Sequence, residues 1–430
     1  MAGVVAAAAT LLTLLVATTP PPVTEELFLV IPRGWIRFLG GFGVVVAALS
    51  SCAYLYGRAR RPARAGQYAL TAGTHLFIWL VIGLVFYPVV YLLSVSFNRN
   101  NSVANIPPKG GNLLVRSGVL PDPAEVSLVQ YAKVLSDTHL DPYQWGLIVL
   151  ATLALSTLLG LRAMRKRVDN PYRLERYQQL SAWGIFLCLV ALVLSIQPGH
   201  FYALNRAGEQ IPASSERMIV LYIRNTLLVS GTTGLLAVLL STTAGYAFAR
   251  MRFEGRYQTL LTFVFVQMFP SFMALVAIFY LMSYLDLLNT FVGLILAYSG
   301  AAIAFSSWIF KGYLESVSPS LEEAAMVDGA TRWGAFWRII LPISVPMLLF
   351  IFLLQFIGTY SEFILANTIL IGQEHWTVGI GLRQFSSGRF DTQWGALAAS
   401  AVLGSLPILL IFYSFQEALT GQYTAGGVKG

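Results

Sequence analysis

Charged side chains are scarce in this chain of 430 residues. Asp, Glu, Lys and Arg make up 11% of the sequence and hydrophobic residues 56%, and a soluble protein of this size could not cover that much apolar surface. Basic residues outnumber acidic ones, 28 to 20. They occur in short clusters between apolar runs, which argues against nucleic-acid binding. The composition therefore predicts a protein that crosses a membrane several times.

Sequence motifs for metal binding, disulfide formation and phosphate binding are also lacking. The two cysteines, Cys52 and Cys188, lie in apolar stretches and say little about redox compartment. The four histidines are far apart in the sequence, so no metal site is expected. None of the five lysines follows a glycine, which excludes a Walker A loop, and neither HExxH nor a convincing GxSxG is present. We therefore expect that the chain does not hydrolyse ATP itself and that it holds no cofactor.

Ten apolar runs each have about the length that a bilayer core requires. These runs predict an all-α, polytopic helical bundle. The first run has no basic segment before it, so we do not expect a cleaved signal peptide; a loosely held apolar segment is the alternative to a span. The predicted spans cover residues 2–18, 36–56, 73–97, 144–161, 181–198, 222–248, 257–284, 290–313, 343–370 and 394–419.

Basic clusters at 58–64, 162–167 and 250–256 predict the orientation of the spans. If the ten spans alternate, these clusters fall on one side, which is the cytoplasmic side by the positive-inside rule. Both chain termini are then cytoplasmic. Three regions are predicted: extra N-terminal spans at 1–66, a span with an outer loop and a helical hairpin at 67–214, and five closely connected spans at 215–430.

Glycines within the predicted spans indicate where helices approach each other closely. Small residues let helix backbones come together in a membrane, so packing is the favoured role and a hinge is the alternative. The glycines concerned are Gly231, Gly234, Gly245, Gly293 and Gly300.

The polar loop at 318–342 contains more signals for helices and turns than a connection between spans needs. Ser320-x-x-Glu323 fits a capping box, and Gly329 permits a tight turn. A second short helix, ended by Pro342, is predicted to follow. The loop is either a rigid surface for a cytoplasmic partner or an ordinary interfacial connection.

The spacing in this loop resembles the signature of permease subunits of bacterial ATP-binding-cassette importers: Glu-Ala-Ala, three residues, Gly, nine residues, Ile-x-Leu-Pro. The resemblance implies a type I importer permease core whose loop forms a coupling helix on a cytoplasmic ATPase. Glu323 would pair with a basic residue of the ATPase, and Gly329 would make the turn. Ala324 and Ala325 would permit close approach. The candidate coupling residues are Glu322, Glu323, Ala324, Ala325, Asp328, Gly329, Ile339, Leu341 and Pro342.

The chain ends in Thr424-Ala425-Gly426-Gly427-Val428-Lys429-Gly430. This sequence is similar to the C-terminal tail of the MalG-type subunits of maltose and maltodextrin importers, where the tail reaches into the ATPase dimer. The similarity covers about residues 215–430 and the span at 73–97, but neither the extra N-terminal spans nor the hairpin at 144–198. It implies ATPase contacts by Gly426, Gly427, Val428, Lys429 and Gly430. The implied location is the bacterial cytoplasmic (inner) membrane. The implied partners are a MalF-like second permease, a MalK-like ATPase dimer, an extracytoplasmic sugar-binding protein and membrane lipids.

Three residues of the span predicted at 343–370 are candidates for a sugar path: Gln355, Tyr360 and Glu362. A carboxylate inside a membrane is costly, so Glu362 is a functional candidate by default. Its alternative roles are a hydrogen bond to a neighbouring helix or a protonated carboxyl group. The resemblance also implies that the sugar site belongs mainly to the partner permease.

Two classes of function compete at this point. The first is a conduit driven by a separate ATPase. The second is a secondary transporter, or an integral membrane enzyme, that uses Glu362. The second class needs more ionisable residues at mid-membrane than this chain has, so the conduit is favoured.

Overall fold

The computed structural model describes residues 34–99, 120–121, 123, 126–164, 171–205, 209–268, 271–386 and 392–419, and most of them are helical. The chain forms two compact units, Met1–Gln130 and Tyr131–Gly430. Numbered in chain order, the helices are α1 (Gly34–Arg60), α2 (Ala65–Ser96), α3 (Val129–Leu135), α4 (Pro142–Met164), α5 (Pro171–Ser195), α6 (Ile219–Arg250), α7 (Arg256–Met268), α8 (Ser271–Tyr284), α9 (Phe291–Ser316), α10 (Ser320–Val327), α11 (Arg332–Ala335), α12 (Leu341–Ile343), α13 (Val345–Ser361), α14 (Ile364–Ile369), α15 (Val378–Arg383) and α16 (Trp394–Leu419).

The first unit contains a helical hairpin formed by α1 and α2, with a 3₁₀ turn at Pro62–Arg64 between them. The helices approach closely because Gly57 has no side chain: a Cβ there would lie 2.8 Å from Cδ2 of Tyr68. In the described part of the hairpin, most of the large apolar side chains of α2 are exposed. In a membrane protein such a surface is covered by lipid or by a partner subunit.

The second unit carries a small polar section between α5 and α6. Two short antiparallel strands, β1 (Tyr202–Leu204) and β2 (Gln210–Pro212), form a hairpin in which Tyr202 is opposite Pro212. Arg217 forms an ion pair with the buried Asp137 at 3.1 Å, which ties the end of this section to the segment after α3.

Helix α6 is the centre of the second unit, where it packs against α9 and α13. Close packing depends on two glycines: a Cβ at Gly234 would lie 3.0 Å from the Phe352 ring, and one at Gly245 would lie 2.9 Å from Phe310. Buried hydroxyl groups on α6 also bond to carbonyls of their own helix, as Thr226 does to Tyr222 O at 2.7 Å. Such bonds allow a membrane helix to carry hydroxyl side chains inside the protein.

The described residues contain seven helices that are long and apolar enough to cross a membrane, or up to nine spans if each of two bent pairs is one span. This confirms an all-α polytopic bundle. The structure describes nine of the ten predicted spans, except for residues 269–270 of the span at 257–284, and the run at 2–18 lies outside the described residues.

In each of the two bent pairs, the direction changes at a short interruption between two helices. The first pair consists of α7 and residues 273–284 of α8, which meet at an angle of 105°. The second consists of residues 332–343 and α13, which meet at 71° on either side of Ser344. The second bend lies where the polar loop joins the membrane helix that follows it.

The span predicted at 343–370 is wrong in its extent. Helix α13 ends at Ser361, Glu362 has an extended backbone, and α14 begins as a separate short helix. The Glu362 carboxylate accepts the N–H groups of Leu365 and Ala366 at 2.9 and 3.2 Å. Helix α13 ends here because the Glu362 side chain caps the next helix, α14.

Candidate coupling site

Helix α10 begins without the predicted capping box. Pro319 occupies the N-cap position, and its side chain makes no capping hydrogen bond. The Ser318 hydroxyl lies 2.7 Å from that of Ser320 and accepts the Ser320 N–H at 3.4 Å. Ser320 is therefore the first helical residue and not the cap, because proline already has the φ angle of a helix start.

The two neighbouring glutamates of α10 have different surroundings. Glu322 is buried, and its Oε1 accepts a hydrogen bond from Arg250 Nε at 2.6 Å. Its Oε2 accepts one from the Tyr246 hydroxyl at 2.9 Å. Glu323 is exposed. A docking partner could therefore reach Glu323, while Glu322 is bound within the protein.

The remaining residues of α10 also divide into an inner and an outer face. Ala325 is buried, whereas Ala324 and Asp328 are exposed. Val327 is 86% exposed and Met326 38%. Small and apolar side chains next to carboxylates form a low surface that a complementary groove can cover.

Helix α10 ends in a Schellman motif. Gly329 has φ +86°, its N–H donates to Met326 O at 3.1 Å, and the Ala330 N–H donates to Ala325 O at 2.9 Å. This pair of bonds satisfies carbonyls that a helix end leaves open. The positive φ angle is the conformation that glycine adopts without strain.

The second helical segment of the loop extends beyond Pro342, where the sequence predicts its end. Residues Phe336–Ile340 are π-helical, and the Leu341 N–H donates to Phe336 O. Helix α12 then includes Pro342 and continues to Ile343. Proline has no N–H to donate. The wider π-helical turn before Pro342 lets the helical segment continue through the proline.

A buried cluster of aromatic and aliphatic side chains supports the loop from inside. Phe336 is buried and lies 4.7 Å, between ring centroids, from Tyr246 of α6. Trp333 and Trp337 beside it are 57% and 49% exposed. The loop is thus fixed to three membrane helices. The buried members come from α6, α9, α13 and the loop: Tyr246, Phe310, Leu314, Phe336, Ile340 and Ile351.

Comparison with known proteins places the chain in a family. Residues 237–423 match the family described as "Binding-protein-dependent transport system inner membrane component". The maltose/maltodextrin transport system permease protein MalG of Escherichia coli is 42% identical over 271 residues, which cover 57% of this chain and 91% of that protein. The chain belongs to the MalG family. It is therefore a multi-pass permease subunit of a transport system and not an enzyme.

Other relatives show the same similarity. MalG of Vibrio vulnificus is 44% identical over 218 residues, 49% of this chain and 73% of that protein. MalG of Yersinia pestis is 36% identical over 290 residues, 60% and 95% respectively. The crystal structure of a bacterial ABC transporter involved in import of the acidic polysaccharide alginate matches with a TM-score of 0.52 and 16% identity, over 81% of this chain and 95% of that one. The structural likeness supports the permease fold.

The three candidate path residues of this MalG-family chain have different hydrogen-bond partners. The Gln355 amide donates to Ser306 of α9 at 3.0 Å, and Glu362 accepts a hydrogen bond from the Tyr298 hydroxyl on the same helix. The Tyr360 hydroxyl donates to Gly404 O of α16 at 2.5 Å. Gln355 and Glu362 thus face α9, and Tyr360 faces α16.

No group of three or more His, Cys, Asp or Glu side chains that could hold a metal occurs among the described residues. The tail residues Gly426, Gly427, Val428, Lys429 and Gly430 lie outside the described residues.

Sequence reasoning misses the two residues that hold Glu322. The sequence presents Arg250 only as part of a basic cluster that sets orientation, and Tyr246 only as part of a span. The available signal is the pair of adjacent glutamates, because neighbouring positions on a helix point in different directions and cannot both face one partner. Their separate roles depend on the contact between Arg250 and Glu322, which are 72 residues apart in the sequence.

Proposed function

We propose that this chain is the MalG-type half of an ATP-driven importer for maltose, maltodextrins or related α-glucosides. The observation that carries the proposal is the similarity to MalG of Escherichia coli over nearly the whole of that protein. The function belongs to residues 215–430 and the span at 73–97, and the regions 1–66 and 144–198 are additions to it.

The coupling part of the proposal concerns the loop at 318–342. A MalK-like ATPase dimer docks on the outer face of α10, where Glu323, Ala324 and Asp328 are exposed. Glu323 pairs with a basic residue of the ATPase, and Gly329 shapes the turn. The tail at 426–430 adds a second contact. The docking surface is connected to α13 by Ile339, Leu341 and Pro342.

The membrane part of the proposal concerns the partners. A MalF-like permease completes the translocation path, and an extracytoplasmic binding protein delivers the sugar. Both termini are cytoplasmic, which the basic clusters support. Gln355 and Glu362 are the better candidates for contact with sugar, because both are less buried than Tyr360.

Reconstitution tests this proposal. The chain is expressed with a MalF-like and a MalK-like subunit and a binding protein from the same genome, and ATP hydrolysis is measured with maltose, maltotriose, trehalose, sucrose and lactose. We expect stimulation by maltose-type α-glucosides and none by lactose. Stimulation by lactose alone would contradict the sugar class, and failure of the ATPase to associate would contradict the coupling role.

A further inference from the structure

Three side chains connect the end of α6 to the start of α10. We call Tyr246, Arg250 and Glu322 the loop clamp. Arg250 Nε and the Tyr246 hydroxyl each donate to a different oxygen of Glu322, at 2.6 and 2.9 Å. The side chains of Arg250 and Glu322 are only 14% and 9% exposed.

Arg250 also holds a third segment. Its Nη2 donates to Val317 O at 2.7 Å, and Val317 is the C-cap of α9. One guanidinium therefore joins the end of α6, the end of α9 and the beginning of α10. Arginine suits this position because its donors have a fixed, planar arrangement.

Because the loop clamp is buried, its hydrogen bonds hold α10 in one position relative to α6. Removing one partner of a buried ion pair leaves the other charge without compensation, so α10 cannot shift relative to α6 while both keep their bonds. The exposed Glu323 is not subject to this constraint.

We propose that the loop clamp makes α6 and α10 move as one body, so that a displacement of α10 reaches the membrane helices through α6. The inference rests on the proposed coupling role of the loop. Tyr246, Arg250 and Glu322 are positioning residues in this account, since none of them needs to touch the ATPase or the sugar. Helix α6 passes the movement to α9 and α13, against which it packs.

The test uses the reconstituted complex with the variants Tyr246→Phe, Glu322→Gln and Arg250→Gln, and Arg252→Gln as an exposed control from the same basic cluster. Three quantities are measured: ATPase bound per complex, ATP hydrolysis with and without sugar, and sugar transported per ATP. We expect Arg250→Gln and Glu322→Gln to lower sugar transported per ATP by about fivefold or more, because a hydrogen bond to a charged group contributes on the order of tenfold to an equilibrium. The Arg252→Gln control should keep the wild-type ratio.

Tyr246→Phe keeps the ring packing and removes a single hydroxyl, so it remains informative if the charge variants do not assemble. We expect it to lower the same ratio by about fivefold with normal ATPase binding, because it also removes one hydrogen bond to a charged group. The effect should be smaller when Glu322 is already Gln, because the Gln amide keeps one oxygen acceptor but carries no charge. Reduced yield with an unchanged ratio in Tyr246→Phe, or additive effects in the double variant, would overturn the proposal. A wild-type complex without sugar-stimulated hydrolysis would instead contradict the proposed function itself.

Discussion

At the scale of single residues, Gly329 is where the loop depends most on backbone conformation. A Cβ at this position would meet no atom within 4 Å, but φ is +86°. A side chain would therefore be strained by conformation and not by collision, at a cost of about 1–2 kcal/mol. We expect Gly329→Leu to reduce sugar-stimulated ATP hydrolysis sharply. Gly329→Asn is the control, because asparagine tolerates this region, and equal loss in both variants would contradict the explanation.

Glu323 gives a second prediction at this scale. Its side chain is exposed, so Glu323→Lys should leave insertion and heat stability unchanged while it weakens ATPase association through charge reversal. Glu323→Gln should have a smaller effect. The measurement is the amount of ATPase bound to membranes that contain each variant. Unchanged binding to the Lys variant would show that Glu323 is not part of the docking surface.

The glycines in the spans show which packing contacts of single residues can be predicted from the sequence. Of the five that predict close helix packing, Gly234 and Gly245 confirm it. Gly231 and Gly300 do not, since a Cβ at either would meet nothing within 4 Å. Gly293 approaches Leu287 in the segment before its own helix. A glycine in a span indicates close approach only on the face that meets a neighbour, and the face depends on tertiary structure.

At the scale of elements, apolar runs predict most of the spanning helices but not where they bend. Helix length follows from bilayer thickness, so the length of an apolar run is enough to predict it. The end of α13 at Ser361 depends on bonds between Glu362 and backbone N–H groups that follow it. Such a cap is not visible in an apolar run with one carboxylate.

The hairpin of α4 and α5 provides the prediction at this scale. Arg162 donates to Tyr413 O of α16 at 2.7 Å, and the rings of Trp183 and Phe186 pack edge-on against Phe415. Deleting residues 144–198 with a short linker preserves the parity of spans. We expect a lower temperature of heat denaturation, by on the order of 5 °C, with sugar transported per ATP unchanged.

Arg162→Gln is the matched control for the deletion, since it weakens the hairpin contact without removing any span. It should shift the denaturation temperature in the same direction and by less. Loss of ATPase recruitment in the deletion variant, with insertion intact, would show that the hairpin has a role in coupling.

At the scale of the whole molecule, the C-terminal tail provides the last prediction. Residues 421–430 contain four glycines and one charge, a composition that does not form a stable helix alone but can enter a narrow groove. We expect truncation after Leu419 to reduce both ATPase association and sugar-stimulated hydrolysis in reconstituted membranes. Wild-type levels of both would show that the tail has no part in docking.

The loop clamp has a consequence for how the protein is made. Arg250 and Glu322 are 72 residues apart, so at about 5–20 residues per second the ribosome needs roughly 4–14 seconds between them. During that interval α9 is synthesised, while Glu322 does not yet exist to bind Arg250. The position of α10 is settled only when Glu322 emerges and closes the ion pair. Synthesis order therefore makes the loop clamp form only after α6 and α9 have both been synthesised.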